Sequence, residues 1–89
     1  MKTLTWYLDD ALVQMRDDAD LTQGELAAKI DVSRNSVTNY ENAATKPKWT
    51  TVQRWAEACD YDPGDNTLRA LWESWIPVIQ RYSELEWAA

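Results

Sequence analysis

The chain has 89 residues and a formal net charge of −6; 45% of its residues are hydrophobic, and it contains one cysteine and no histidine. This length allows one small domain with a single core, so residues 1–89 are predicted to form one domain. With one cysteine and no histidine, the chain lacks the residues of common zinc sites, Ser-His-Asp triads and Cys-His pairs. We therefore expect no enzymatic activity, no metal and no cofactor.

The sequence also bears on location. No apolar run approaches the roughly 18 to 20 residues that cross a bilayer. The first residues, MKTLTWYLDD, hold one Lys and no long apolar core, which argues against a signal peptide. We expect a cytoplasmic protein without membrane contact, in which the single thiol of Cys59 is buried.

The negative charge is unevenly distributed along the chain. An acidic protein is repelled by polyphosphate, so the net charge alone disfavours nucleic-acid binding. Residues 1–20 carry two bases against five acids, and residues 60–89 carry two against six. Residues 33–54, in contrast, carry four bases and one acid. The chain is thus acidic at both ends and locally basic in the middle.

Two helices are predicted before residue 32. Leu4, Leu8, Leu12 and Met15 recur at helical spacing, which predicts a first helix from about Thr5 to Asp17. The segment LTQGEL then has Thr22 and Glu25 at the spacing of a capping box. A second helix is predicted to begin at Thr22 and end near Asp31, with its core face formed by Leu26, Ala27 and Ile30.

The next segment, SRNSVTNYEN, is polar at eight of ten positions. Ser33 is the predicted N-cap, and Val37 and Tyr40 define one buried helix face. The opposite face carries Arg34, Asn35, Thr38 and Asn39 into solvent. Two short helices joined by about three residues, the second polar on its outer face, are the pattern of a helix-turn-helix.

Further helices are predicted after a loop at residues 42–48. Thr50 and Gln53 have capping-box spacing for a fourth helix, and Asp62 and Pro63 are predicted to start a fifth helix that continues through Trp75. VIQRYSELEW, after Pro77, is compatible with a sixth helix. Since no strand pattern occurs, the predicted fold class is all-α, a compact bundle of five to six short helices.

Several of these residues together carry a family resemblance. LTQGELAAKIDVSRNSVTNYEN resembles the helix-turn-helix of the lambda-repressor and Cro-type family, with Leu-Thr-Gln at its start, a Glu-Leu-Ala triplet, a turn, a polar recognition helix and a closing Glu-Asn. The resemblance covers residues 21 to about 60, with its helix-turn-helix core at 21–42. Asp31 and Ala43 stand where the family usually has Gly. The resemblance implies a DNA-binding transcription regulator of phage or bacterial type, acting in the cytoplasm of a bacterial host cell or on its nucleoid.

The resemblance also implies residue roles on double-stranded DNA. The recognition helix would lie in the major groove, where Arg suits guanine and Asn suits adenine. The implied base contacts are Ser33, Arg34, Asn35, Thr38 and Asn39. The implied backbone contacts, which set register without reading sequence, are Thr22, Gln23, Ser36, Asn42, Lys46 and Lys48. Arg16 is expected to pair with Glu41, which would neutralise the one acid of the basic segment.

The acidic, Trp-rich extension at about 62–89 has no recognised counterpart. Members of the family commonly bind DNA as symmetric dimers, and aromatic residues are enriched at interfaces. A homodimer or partner surface is therefore predicted at Trp75, Ile79, Tyr82 and Trp87; the alternative is that Trp72 and Trp75 only cover the core.

Two functional hypotheses remain open from the sequence. The first is a small phage Cro-like or repressor-like protein that binds an operator sequence-specifically and occludes it. The second is a protein-interaction module (an antitoxin, anti-repressor or adaptor) that captures a protein through the acidic extension. The charge favours the second hypothesis, and the recognition-helix pattern favours the first.

Overall fold

The computed structural model describes residues 7–81. Its regular structure there is entirely helical, as predicted, and consists of five α-helices and a short helical turn at 78–81. The helices are α1 (Leu8–Asp18), α2 (Gln23–Ile30), α3 (Arg34–Glu41), α4 (Trp49–Ala58) and α5 (Asn66–Glu73). None of the helices in this part of the chain is both long and apolar enough to span a bilayer.

Trp55 of α4 lies at the centre of the core. Its side chain is completely buried, and its indole Nε1 donates a hydrogen bond of 3.0 Å to the carbonyl of Leu12, so burial leaves this polar group satisfied. The Tyr40 ring of α3 lies 6.4 Å from it, in a tilted arrangement. Trp55 thereby links α1, α3 and α4. The other fully buried side chains include Leu8, Leu12, Leu26, Val37 and Val52.

The turn between α2 and α3 consists of residues 31–33 and has the predicted construction. Asp31 adopts the left-handed conformation (φ 61°, ψ 47°), and the N–H of Val32 donates to the carbonyl of Ala27 at 3.0 Å. Ser33 caps α3 by accepting a hydrogen bond of 3.0 Å from the N–H of Ser36. The capping box predicted at the start of α2 is present. Together these contacts fix the angle at which α3 leaves α2.

A residue with a left-handed backbone conformation follows each of four helices, and none of these residues is glycine. They are Asp20, Asp31, Ala43 and Asp60. After α3, the N–H of Ala44 donates to the carbonyl of Asn39 (3.0 Å), the bond that closes a Schellman motif around Ala43. Alanine in this conformation is strained by its Cβ. The carbonyl of Ala43 in turn accepts from the N–H of Val78 (3.0 Å), which joins the end of α3 to the C-terminal segment.

Two predicted helix starts are wrong by several residues. The first helix begins at Leu8, because Tyr7 has an extended backbone (φ −117°, ψ 166°) whose N–H donates to Asp10 at 3.1 Å. Residues 4 and 5 lie outside the described part. The fifth helix begins at Asn66: Asp62 accepts from the N–H of Gly64 in a turn, and Asp65 is the N-cap, accepting from two backbone N–H groups.

The ends and caps of the later helices also differ from prediction. The helix predicted to start with a capping box at Thr50 and Gln53 begins at Trp49, and its N-cap, Lys48, makes no side-chain cap. Packing of Trp49 against Trp72, with ring centroids 5.7 Å apart, accounts for the earlier start. The fifth helix ends at Glu73, so Trp75 lies outside it. The sixth helix is described only at 78–81.

Asp9 is buried, although two adjacent aspartates in the first turn of a helix usually lie in solvent. Its two carboxylate oxygens accept from the Arg81 guanidinium at 2.7 and 3.2 Å. Arg81 also donates twice to the carbonyl of Ile76 (2.9 and 3.2 Å) and lies over the Tyr7 ring, 3.7 Å from its centroid. These contacts hold the C-terminal segment, residues 76–81, against the first turn of α1.

Candidate nucleic-acid interface

One face of α3 is fixed to the protein and the other is left free. Val37 is completely buried and Tyr40 is half-buried against the core cluster, so the helix cannot rotate without losing apolar contacts. The outward face carries Arg34, Asn35 and Asn39; the first two are exposed. Within residues 7–81 these three side chains make no hydrogen bond. Their donors and acceptors therefore remain available to a ligand.

Other predicted contact residues are engaged within the protein. Ser33 and Ser36 bond to each other through their hydroxyls (2.9 Å) at the start of α3. The Thr38 hydroxyl donates to Gln23 Oε1 at 3.1 Å, and Gln23 Nε2 donates to Glu41 Oε1 at 2.9 Å. The Gln23 amide therefore bridges α2 and α3 and holds one helix of the motif against the other.

Arg16 and Glu41 form the two-pronged ion pair that the resemblance implies. Arg16 Nε and one terminal nitrogen lie 2.6 and 3.0 Å from the two Glu41 oxygens, and the other terminal nitrogen donates to the Leu21 carbonyl at 2.9 Å. The hydrogen bond with Glu41 raises the pKa of Arg16 above its ordinary value. The pair neutralises Glu41, the one acid between Ser33 and Arg54. The basic segment thus presents no unpaired carboxylate to a ligand.

An open cleft of about 410 Å³ separates the starts of α2 and α3. Its lining residues are Arg16, Thr22, Gln23, Gly24 and Arg34. The N–H groups of Gln23 and Gly24, in the first turn of α2, have no acceptor in the described residues, and the start of a helix attracts anions. The cleft thus combines two backbone amides that lack an acceptor in the described residues with the guanidinium of Arg34, while that of Arg16 is paired with Glu41. This is chemistry suited to a phosphate.

The loop after α3 carries the other predicted backbone contacts. Asn42, Lys46 and Lys48 are all exposed. The Lys46 ammonium lies over the ring of Trp72, 4.1 Å from its centroid. Trp72 also donates from its indole Nε1 to the carbonyl of Pro47 at 2.8 Å. The loop is therefore held by α5, which lies beyond the helix-turn-helix.

Sequence reasoning missed this contribution of α5. Trp72 was interpreted as a cover for the core, and it is half-buried against the core cluster. Arg69, which was assigned no role, lies 4.8 Å from the centroid of the Trp72 ring and 5.0 Å from that of Trp49. The three-residue spacing of Arg69 and Trp72 on one helix face was the available signal.

The predicted dimer or partner surface is only partly described. Trp75 packs against the core, so only part of its surface is free. Ile79 is 72% exposed, which is unusual for a large apolar side chain. Tyr82 and Trp87 lie outside the described residues.

Comparison with known families agrees with this geometry. A helix-turn-helix family model matches residues 12–66, which include α1 from Leu12 onward, all of α2 to α4 and the loop up to the first residue of α5. The chain belongs to the helix-turn-helix family of the lambda-repressor and Cro type. The family consists of DNA-binding regulators and is not an enzyme family.

Two curated relatives of this helix-turn-helix chain share one name. Antitoxin HigA1 from two strains of Mycobacterium tuberculosis (CDC 1551 / Oshkosh and ATCC 25618 / H37Rv) is 38% identical over 53 residues, which is 60% of this chain. The match spans 36% of the length of each relative. No solved structure gives a significant match.

Proposed function

We propose that this regulator binds double-stranded DNA sequence-specifically, with α3 in the major groove, and represses transcription by occluding an operator, as a small phage Cro-like or repressor-like protein does. The observation that carries the proposal is the outer face of α3. Within residues 7–81 the side chains of Arg34, Asn35 and Asn39 make no hydrogen bond there, while the inner face is fixed by packing. Arginine and asparagine are the side chains that make two-pronged contacts with guanine and adenine.

The charge distribution supports the same proposal. Arg34, Lys46, Lys48 and Arg54 lie in a segment whose one acid is paired with Arg16. The acidic residues elsewhere would repel DNA from other surfaces and so disfavour nonspecific orientations. Thr22, Gln23, Ser36 and Asn42, with the two lysines, would set the position on the backbone. The protein would act in the bacterial cytoplasm, on or near the nucleoid.

We further propose that two copies bind one operator. Symmetric dimers of this architecture place their recognition helices about 34 Å apart, one turn of the duplex. Ile79 and Trp75, with Tyr82 and Trp87, are the proposed contact between copies. Light scattering of the free protein and of its DNA complex would show whether two copies act together; a single copy in both states would contradict this proposal.

The proposed specificity can be tested by selection from random duplex DNA followed by gel-shift titration. Arg34→Ala and Asn39→Ala should each weaken binding to the selected sequence about tenfold or more, because each removes a base contact of about 1–3 kcal/mol. Asn66→Ala, at an exposed position in α5, is the matched control and should bind like the unsubstituted protein. Unchanged titrations for both α3 variants, or failure to enrich any sequence, would overturn the proposal.

A second candidate function is supported by the curated relatives. These relatives are antitoxins by name, and that name together with the acidic residues outside the basic segment favours a chain that also captures a toxin protein. Co-expression with the protein encoded beside it tests this candidate. If that protein alone inhibits growth of the host cells, a stable complex with this chain that restores their growth would support the candidate. If the two proteins purify separately and growth is not restored, the regulator acts on DNA without such a partner.

A further inference from the structure

Two tryptophans and two cations form a cluster beside the helix-turn-helix. Trp49 and Trp72 have ring centroids 5.7 Å apart, with their planes inclined at 50°. The Lys46 ammonium lies 4.1 Å from the Trp72 centroid. The Arg69 guanidinium lies 4.8 Å from Trp72 and 5.0 Å from Trp49. We call these four residues the tryptophan ledge.

The ledge keeps two like charges close together at the surface. Since both cations lie against one indole, the two distances to its centroid place them within about 9 Å of each other. Cations at this separation repel each other, and the negative faces of the indole rings offset part of that repulsion. Glu73 pairs with Arg69 at 3.0 Å, but both side chains are about half exposed, so solvent screens this pair. The cluster is therefore suited to binding an anion in addition to the Glu73 carboxylate.

The ledge is also attached to the loop that follows the recognition helix. The Trp72 indole donates to the carbonyl of Pro47, the residue between Lys46 and Lys48. Trp72 thus contacts this loop in two ways, through the peptide backbone and through the Lys46 side chain. Without the indole, the four-carbon side chain of Lys46 would sample many rotamers and lose entropy on binding an anion.

We propose that the tryptophan ledge is a second DNA-backbone site, in which Arg69 of α5 is a further phosphate contact and Trp72 is a positioning residue for Lys46. The proposal rests on the DNA binding proposed above. A strand of duplex DNA carries one phosphate per about 3.4 Å of helix axis, so two cations no more than about 9 Å apart can contact phosphates close together on one strand. The site adds affinity without reading sequence.

Salt dependence measures this role directly. The full chain is titrated with a mixed-sequence duplex over a range of salt concentrations, because each phosphate contact contributes about 0.9 to the slope of log affinity against log salt. Lys46→Gln and Arg69→Gln should each lower the slope by about that amount. Lys29→Gln removes the same charge from an exposed position near the end of α2 and should leave the slope unchanged.

Substitutions of Trp72 separate positioning from simple packing. Trp72→Leu should lower the slope nearly as much as Lys46→Gln, and adding Lys46→Gln to it should change little further. Trp72→Phe keeps a ring face and should retain most of the slope, although it loses the hydrogen bond to Pro47. Thermal melting of each variant checks that it is folded. If Trp72→Leu does not fold, the slopes of Trp72→Phe and of the surface variant Arg69→Gln still test whether the ledge contacts the DNA backbone.

The outcomes distinguish this proposal from the one on which it rests. If the unsubstituted chain binds no duplex, the proposed function fails. If it binds, but Arg69→Gln behaves like Lys29→Gln, or the Trp72 and Lys46 effects simply add, the ledge is not a backbone site. Tighter binding by Trp72→Leu would also overturn it, because the indole would then sequester Lys46 from DNA.

Discussion

Helix α1 is held at both ends by an arginine–carboxylate pair, and the two pairs differ in what they support. At its C-terminal end, Arg16 contacts Glu41 at 2.6 and 3.0 Å, with side chains 15% and 5% exposed. At its N-terminal end, Asp9 contacts Arg81 at 2.7 and 3.2 Å, with side chains 10% and 13% exposed. The geometry and burial are thus nearly the same.

The surroundings of the two pairs are different. Glu41 also accepts from Gln23, which in turn accepts from Thr38, so the first pair belongs to a network that positions α2 and α3. Arg81 contacts the carbonyl of Ile76 and the Tyr7 ring. The second pair therefore holds residues 76–81 against α1. The same kind of contact thus supports the helix-turn-helix at one end of α1 and the C-terminal segment at the other.

Removing Glu41 should have the largest effect. Glu41→Ala leaves the Arg16 guanidinium largely buried without its partner and deprives Gln23 of an acceptor, so we expect a loss of about 3 kcal/mol in the free energy of unfolding. The melting temperature should fall by about 12 °C or more. Urea unfolding provides the measurement. The exposed Glu57→Ala of α4 is the control, with a change within about 0.5 kcal/mol; similar losses for the two variants would show that the network does not support the fold.

Removing Arg81 should have a smaller effect. Arg81→Met keeps the length of the side chain but leaves Asp9 unpaired; because residues 78–81 can separate locally from α1 and admit water to this carboxylate, we expect a loss of about 1–2 kcal/mol. Arg81→Lys should restore only part of it, since an ammonium cannot make the two-pronged contact. The exposed Gln80→Met is the control. The affinity of a single copy for a half-site duplex should be nearly unchanged, and a large loss of that affinity would contradict the division of roles between the two pairs.

Only one of the two ion pairs could be predicted from the sequence. Arg16 and Glu41 flank a segment whose family pattern is dense, so their pairing was expected from the resemblance. Asp9 and Arg81 are 72 positions apart and belong to no pattern, and adjacent aspartates at 9 and 10 look like a solvated helix surface. A contact between residues so far apart in sequence depends on the fold of the whole chain, which helical periodicity does not predict.

The starts of the helices after the motif were missed because packing between residues far apart in sequence selects them. Several residues in each loop can cap, and the choice between them is made by packing. Asp62 and Asp65 are both good N-caps by type; Asp65 is the one used, and Asp62 closes a turn instead. Trp49 joins α4 because its ring packs on Trp72, a contact made across a loop. The outer face of α3 needed no such information, because the spacing of Val37 and Tyr40 determined it.

A third contact on α1 should have the smallest effect, because it lies at the surface. The Tyr61 hydroxyl donates a hydrogen bond to Asp18, two residues after Arg16. This hydrogen bond raises the pKa of Tyr61, since the tyrosinate would lose the bond and face a carboxylate. A raised pKa in the folded state means that the stabilisation is present below the pKa of tyrosine in the unfolded chain, about 10, and is lost as pH rises through the folded value.

Alkaline titration therefore isolates this surface contact from the two buried pairs. Asp18→Asn should lower the pKa of Tyr61 towards its ordinary value, as followed by the ultraviolet absorbance of tyrosinate, with Tyr61→Phe identifying the signal. Above about pH 10 the unsubstituted protein should lose its small stability advantage over Tyr61→Phe, while the arginine pairs persist because guanidinium stays protonated there. If the two proteins lose stability in parallel from neutral pH upward, the Tyr61 hydrogen bond does not contribute to holding this end of α1.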